Sequence, residues 1–144
     1  MRVQLTEQQR AFLEKARGAA MITLRGDGTP VAVRVGIALV DGKLWSSGTR
    51  DRARTRWLRR DPRSTLFVYD PTGFAYLNIE SRVRILEGPE VPEQSLRLFR
   101  VMQSRPSGPL SWFGGELSEE AFLRKMVEEG RVILASFPGM CDVP

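Results

Sequence analysis

The sequence predicts a mainly β protein: a small antiparallel barrel of six strands, with short helices inserted between them and on its flanks. Three observations lead there. Two Asp-Gly pairs, Asp27-Gly28 and Asp41-Gly42, stand between β-rich runs and read as hairpin turns. Phe74 to Leu86 alternates cleanly, with Leu77, Ile79, Val83 and Ile85 on one face and Tyr76, Asn78, Glu80, Arg82 and Arg84 on the other. The helical patterns are short and the strands follow one another through tight turns, which favours a barrel over a sandwich.

Taken in order, Thr6-Glu7-Gln8-Gln9 is a capping-box start, Ala11, Phe12 and Ala16 form the apolar stripe of a first helix, and Gly18 stops it. Ala19 to Leu24, Val31 to Val40 and Leu44 to Ser47 read as three consecutive antiparallel strands, a meander. The second of them places Val31, Val33, Val35, Ile37 and Leu39 on a core face. Small residues and one cation, Ala32, Arg34, Gly36 and Ala38, lie on the other, leaving room for a flat ring or another backbone. An arginine-rich helix follows and is closed by Pro62, which biases Asp61 out of the helical region. Ser64 to Tyr69 is a fourth strand, Asp70-Pro71-Thr72-Gly73 a turn, and Phe74 to Leu86 the fifth strand. Pro92 suits a first helical turn, with Leu96, Leu98, Phe99 and Met102 as a buried stripe to about Gln103. Arg105 to Gly115 reads as a loop carrying Trp112 and Phe113. Ser118 caps a last helix with Phe122, Leu123, Met126 and Val127 on its apolar face, Gly130 ends it, and Val132 to Phe137 is the sixth strand.

The chain has 144 residues, 42% hydrophobic and 27% charged, which fits one soluble globular domain spanning residues 1–144. No apolar run approaches the roughly 20 residues that cross a bilayer. Met1 to Lys15 is polar and helix-patterned rather than a signal peptide, so a cytoplasmic location is expected. Histidine is absent and Cys141 is the one cysteine, which excludes Ser-His-Asp and Cys-His catalysis, histidine-ligated zinc and an intrachain disulfide. Cys141 reads as an ordinary free thiol in the tail. Any enzymatic chemistry is then expected from a bound cofactor.

Charge is where the chain is most uneven. Arg50, Arg52, Arg54, Arg56, Arg59, Arg60 and Arg63 fall within fourteen residues, and with Asp51 and Asp61 they account for the whole net charge of +5. If Asp51 caps the helix, then Arg50, Arg52 and Arg54 sit at an N-terminus that is already partly positive, which disfavours each by roughly 0.3–1 kcal/mol unless an anion is present. A phosphate held by backbone N–H groups and guanidinium forks meets that need. Arg52, Arg56, Arg59 and Arg63 follow helical spacing along one face, and Trp57 and Leu58 turn toward the core. Ser46-Ser47-Gly48-Thr49, ending the preceding strand, adds donors beside the helix start. A solvated basic helix and a nucleic-acid-binding stripe are the competing readings. Against the second, the cluster spans only about four turns, has no stacking aromatic but Trp57, and lacks a flanking nucleic-acid motif.

Asp27-Gly28-Thr29-Pro30, the strand ending Ser46-Ser47, and Arg52-Ala53-Arg54-Thr55-Arg56-Trp57-Leu58-Arg59-Arg60-Asp61-Pro62-Arg63 together resemble a known group. They resemble the split β-barrel flavin and deazaflavin oxidoreductases, the pyridoxamine 5'-phosphate oxidase-like superfamily, and within it the branch that binds coenzyme F420. The resemblance runs from about Leu5 to Phe137. It implies the FMN-binding split-barrel fold and a homodimer with two cofactor sites at the subunit interface. It implies that Arg52, Arg54, Thr55 and Arg56 hold the cofactor phosphate, with Arg50, Ala53 and Leu58 also in contact. Ser46, Ser47 and Gly48 would line the ring or ribityl chain, and Pro30, Ala32 and Arg34 would approach the ring. Phe74, Ala75, Tyr76 and Leu77 of the partner subunit would cover it. Arg54 stands where such proteins often have Lys, and Trp57 where they often have Asn, so no hydrogen bond is carried over to Trp57.

Both FMN and F420 present phosphate on a ribityl chain. The arginine surplus (Arg50, Arg56, Arg59 and Arg60) favours F420 with its lactyl-oligoglutamate tail. The activity implied is an F420-dependent reductase delivering hydride to a small electron-poor substrate, without nucleic-acid or membrane partners and without a metal. The alternatives are an FMN-dependent oxidase or reductase on the same fold, or a non-catalytic flavin- or F420-binding protein. Arg34 ranks first to polarise or protonate the substrate, ahead of Tyr69, Tyr76 and water. Arg105 to Gly115 is either a substrate lid or aromatic packing under a loop.

Overall fold

Thr6 starts the first helix as its sequence signature requires. Its Oγ1 accepts from the Gln9 N–H at 3.1 Å while Gln9 Oε1 accepts from the Thr6 N–H at 2.9 Å, fixing α1 over Glu7–Lys15. The computed structural model describes residues 5–72 and 74–140, with backbone alone at 139 and 140, so Cys141, Gly73 and the first four residues lie outside the description. Strands β1 (Gly18–Leu24) and β2 (Pro30–Gly36) form a hairpin through the Asp27-Gly28 turn. Gly28 takes φ 86° there, and Asp27 Oδ1 accepts from the Thr29 N–H.

The long second strand expected over Val31 to Val40 is broken at Ile37. β2 ends at Gly36 and pairs with β1, whereas β3 (Ala38–Val40) pairs with β4 (Lys43–Thr49). At the break the Ile37 N–H donates to the Arg17 carbonyl at 3.1 Å instead of to a ladder. The expected three-stranded meander is therefore two hairpins, and the reason is closure. β5 (Arg63–Tyr69), β6 (Tyr76–Leu86) and β9 (Arg131–Met140) complete a seven-stranded sheet in the order β2-β1-β5-β6-β9-β4-β3. Its two outermost strands are consecutive in the chain, so the bend at Gly36 and Ile37 curls the sheet upon itself into the split barrel. Gly36 suits the bend, since a Cβ there would stand 3.2 Å from Met102 Sδ.

Among the described residues nine strands replace the six expected. One extra comes from the break. Two come from the Arg105–Gly115 segment, read as loop, which contributes β7 (Leu110–Trp112) and pairs it with β8 (Gly115–Leu117). β6 keeps the predicted alternation, burying Leu77, Ile79, Ser81 and Val83, but starts two residues later than expected. The helices are α2 (Ala53–Arg60), α3 (Val91–Gln103) and α4 (Glu119–Glu128). Ser118 Oγ caps α4 by accepting the Ala121 N–H, and Val127, expected on its apolar face, is exposed.

Three apolar clusters hold this together. The barrel interior gathers Leu13, Met21, Val35, Ile37, Leu44, Leu58, Leu66, Ile79 and Leu134. α3 covers the outer face of β9, β4 and β3 through Leu98 against Ala38, Trp45, Ile133 and Ala135. Leu96, Leu110, Phe122 and Met126 join α3, α4 and the β7–β8 hairpin. Each such fully buried side chain contributes roughly 1.5–3 kcal/mol. The outer face of β2, β1, β5 and β6 is different: the registers Arg34–Ala20–Phe67–Asn78 and Ala32–Ile22–Thr65–Glu80 run across it, and Ala20, Ile22, Thr65 and Phe67 are only half-buried.

Asp61, which ends α2, accepts from the Arg63 backbone N–H and from its guanidinium at 2.8 and 3.0 Å, and these bonds hold its carboxyl down to about 2. Because the folded value lies below the unfolded one, this clasp stabilises the protein above about pH 4 and is lost as pH falls toward about 2. Asp61→Asn should therefore flatten the acid limb of stability in that window; an unchanged acid denaturation profile would show that the clasp contributes nothing.

Candidate functional site

The N-terminus of α2 is left without an acid. Its cap is Arg52, not Asp51 as the sequence suggested, because the Arg52 N–H closes a turn onto the Thr49 carbonyl and delays the helix by one residue. Arg52 offers no side-chain cap, the first turn contains no carboxylate, and the Asp51 carbonyl accepts from Arg56 Nη1 at 2.8 Å. An exposed helix start with free N–H groups and cations around it is an unfavourable arrangement until an anion arrives.

Arg54 is the centre of the corner between β4 and α2. Its Nη2 makes one long contact, 3.4 Å, to the Ser47 carbonyl, and its buried Nε finds no partner in the described residues. Burial first, and then the charges of Arg52 and Arg131, lower its pKa from the ordinary arginine value. Gly48 makes room for it, since a Cβ at that position would lie 3.3 Å from Arg54 Nη2. Ser47 faces outward beside it and is half-buried, whereas Ser46 faces the barrel interior, 1% exposed and with Oγ unpartnered.

Other sequence-predicted residues have different tasks. Thr55 is fully buried and its Oγ1 donates to the Thr49 carbonyl at 2.8 Å, fastening the helix to β4. Leu58, 2% exposed, packs in the barrel core and its side chain does not reach the site surface. Ala53 is half-buried beside the cap, and Arg50 and Arg56 are exposed. The single arginine face expected over Arg52, Arg56, Arg59 and Arg63 ends early, because the helix stops at Arg60 and Arg63 begins β5. Arg59 donates through both terminal nitrogens to Glu87 at 2.7 and 2.9 Å, Arg60 donates to the Leu24 carbonyl, and Arg63 holds Asp61. Among the described residues Arg50 and Arg52 have no side-chain partner and Arg54 and Arg56, like Arg60, each reach one backbone carbonyl, so of the expected surplus it is Arg59 that an ion pair occupies.

Arg131 was missed. It stands opposite Thr49 at the start of β9, and its Nη1 approaches Ser47 Oγ at 3.4 Å. Outside the fourteen-residue run the charges balance in number, which concealed one cation that the fold brings back to α2. The signal available was a basic residue, Arg131, between the Gly130 helix stop and an apolar strand.

Pro30, Ala32 and Arg34 lie exposed along edge strand β2. Pro30 pairs with Leu24, whose carbonyl holds Arg60, so that end of β2 shares the barrel end capped by α2. Phe74, Ala75, Tyr76 and Leu77 lie at the far end of β5, about 20 Å of strand away. Phe74 is wholly exposed and Tyr76 half so, with Tyr69 and Tyr76 around Phe67 at ring distances of 5.8 and 5.4 Å; Leu77 points inward. One copy of the chain does not bring them to Arg54. The 105–115 segment is fastened rather than loose: Gln103 exchanges two hydrogen bonds with the Ser111 backbone, Arg105 pairs with Glu116, and Trp112 packs on Phe99 and Phe122.

The donors that converge on Ser47 fit a group rich in oxygen acceptors. Among the described residues no cluster of His, Cys, Asp or Glu fits a metal ion, and no helix is long and apolar enough to cross a membrane.

Residues 5–131 match the sequence profile of the family described as pyridoxamine 5'-phosphate oxidase. No curated protein sequence matches. Solved structures show the same fold at low identity. An F420 reductase is 20% identical over 94% of this chain and 97% of its own, with TM-score 0.69. The conserved hypothetical protein Rv2991 from Mycobacterium tuberculosis is 22% identical over 96% and 83%, with TM-score 0.73. A putative pyridoxamine 5'-phosphate oxidase from Listeria innocua is 22% identical over 95% of each, with TM-score 0.66.

Proposed function

We propose that this chain, which belongs to the pyridoxamine 5'-phosphate oxidase family, is an oxidoreductase that holds the phosphate of a flavin or deazaflavin at the β4–α2 corner and uses reduced coenzyme F420. The observation that carries the reading is Arg54: a half-buried guanidinium whose Nε finds no partner among the described residues, beside a helix start with no side-chain cap and no acid in its first turn. A phosphate there offers acceptors to Arg54, Arg52, the first N–H groups of α2 and the Ser47 hydroxyl. F420 supplies hydride when bound; the chain contributes binding, orientation and exclusion of water. Arg50 and Arg56, exposed beside the corner, are placed to meet further carboxylates of a long anionic tail.

A homodimer completes this site. The half-buried outer face of β2, β1, β5 and β6 gives a second copy an apolar surface, and Phe74 and Tyr76 reach a phosphate-anchored ring only from another copy. Arg34 and Ala32 lie on that same face, so Arg34 remains the favoured group to polarise a small electron-poor substrate. With Arg59, Arg60 and Arg63 engaged by protein acceptors, the basic stripe of α2 is cut short, which disfavours nucleic acid as a partner. A soluble cytoplasmic enzyme is the setting this reading favours. FMN is the second reading, favoured by the same engagement of Arg59 and Arg60, which shortens the anion the corner is built to receive.

Fluorescence titration with F420, FMN, riboflavin and the phosphate-free deazaflavin decides. Micromolar binding of F420, with oxidation of reduced F420 by a quinone, enone or nitro compound, is expected. Tight FMN binding without F420 binding establishes the second reading; equal affinity for phosphorylated and phosphate-free forms removes the phosphate site.

A further inference from the structure

We propose that Arg131 is a second guanidinium of the phosphate site, held in place by Glu129 and by the indole of Trp112. This inference rests on the reading of the β4–α2 corner as a phosphate site. Arg131 Nε and Nη2 both donate to Glu129 Oε1, at 2.9 and 2.7 Å. The guanidinium carbon lies over the Trp112 ring, 5.2 Å from its centroid. Trp112 is itself wedged edge-on against Phe122 at 5.7 Å and packed on Phe99 at 5.5 Å. The side chain is 12% exposed. Two of its donors and one face are thereby committed, and the remaining edge, Nη1, points to Ser47 Oγ at 3.4 Å, too long for a strong hydrogen bond.

An Arg–Glu clip two residues apart has no need of a second arginine beside it. Yet Arg131 and Arg54 both approach Ser47, Arg131 its hydroxyl and Arg54 its carbonyl, and Glu129 is the sole carboxylate paired with either among the described residues. The charge of Arg131, after burial and the charge of Arg52, disfavours the charged guanidinium of Arg54, a repulsion between like charges. A phosphate seated between them converts that repulsion into two charge-assisted contacts. The planar fork, clamped on two sides, loses little freedom when the anion arrives. Trp112 is a positioning residue in this arrangement. It links the β7–β8 hairpin to cofactor affinity without touching the cofactor.

The test compares phosphorylated with phosphate-free ligands. In Arg131→Met the dissociation constants of FMN and F420 should rise roughly 10- to 100-fold, the equivalent of one charge-assisted hydrogen bond, while riboflavin and the phosphate-free deazaflavin bind as before. Trp112→Leu should show a smaller loss with the same selectivity. The double variant Glu129→Gln with Arg131→Met removes both partners of the clip, so that no carboxylate is left unpaired if the single variant fails to fold. An unaltered FMN-to-riboflavin ratio in these variants overturns the role of Arg131 while leaving the phosphate site standing. An unmodified protein that does not prefer FMN to riboflavin, or F420 to the phosphate-free deazaflavin, overturns both.

Discussion

Arg54→Met should weaken binding of the phosphorylated cofactor by roughly two orders of magnitude, through the loss of one or two charge-assisted hydrogen bonds. The same variant should leave the cofactor-free protein as stable as before, or more stable. The two effects have opposite signs because they have one cause. Among the described residues Arg54 is largely desolvated, its Nε has no acceptor, and the charges of Arg52 and Arg131 repel it. Its folded pKa is lowered, and for a base this means the charged form is disfavoured by folding. The penalty is present at every pH below the folded value, neutral pH included, and is relieved only as pH rises through it. Methionine keeps most of the aliphatic stem and discards the charged guanidinium that lies against Gly48. Thermal unfolding of the cofactor-free protein and a cofactor titration, run on the same preparation, read both. A variant with a lower melting temperature and unchanged affinity would show that Arg54 is a structural cation and that the corner holds no phosphate.

Much of the fold was legible because it is local. The capping box at Thr6, the Asp-Gly turns and the alternation of β6 are each decided by residues within a few positions of one another, and the structure reproduces them. The density of arginine around α2 was equally plain. What a one-dimensional reading lacks is the identity of partners far along the chain. Glu87, 28 residues away, removes Arg59 from the anion's share, and Arg131, 84 residues from Ser47, adds a cation. The break at Ile37 was hidden for a related reason. Every residue from Val31 to Val40 suits a strand, and only the need of one segment to serve both edges of a curled sheet divides it. The cap moved from Asp51 to Arg52 because a turn onto Thr49, not side-chain preference, decides where α2 begins. Ser46 and Ser47 look equivalent as letters, yet strand alternation sends one into the core and the other toward Arg131.

Phe122→Ala should cost about 3–5 kcal/mol, the usual range for truncating a fully buried aromatic. The consequences should be unequal across the molecule. Phe122 is at the centre of the cluster that joins α3, α4 and the β7–β8 hairpin, touching Phe99 edge-on at 5.2 Å and Trp112 at 5.7 Å, while the barrel interior is a separate cluster. Its loss leaves β1, β2, β5 and β6 with their own core and removes the wedge behind Trp112. Amide hydrogen exchange should therefore accelerate in β7, β8 and α4 well before it does in β5 and β6. With the indole no longer fixed, Arg131 loses one of its two clamps, so affinity for FMN should fall more than affinity for riboflavin. Phe122→Leu fills most of the cavity and separates the two effects, restoring most of the stability but not the edge-on contact with Trp112. If exchange instead rises uniformly over barrel and hairpin, the two cores unfold as one cooperative unit, and the hairpin does not act as an independent support for the site.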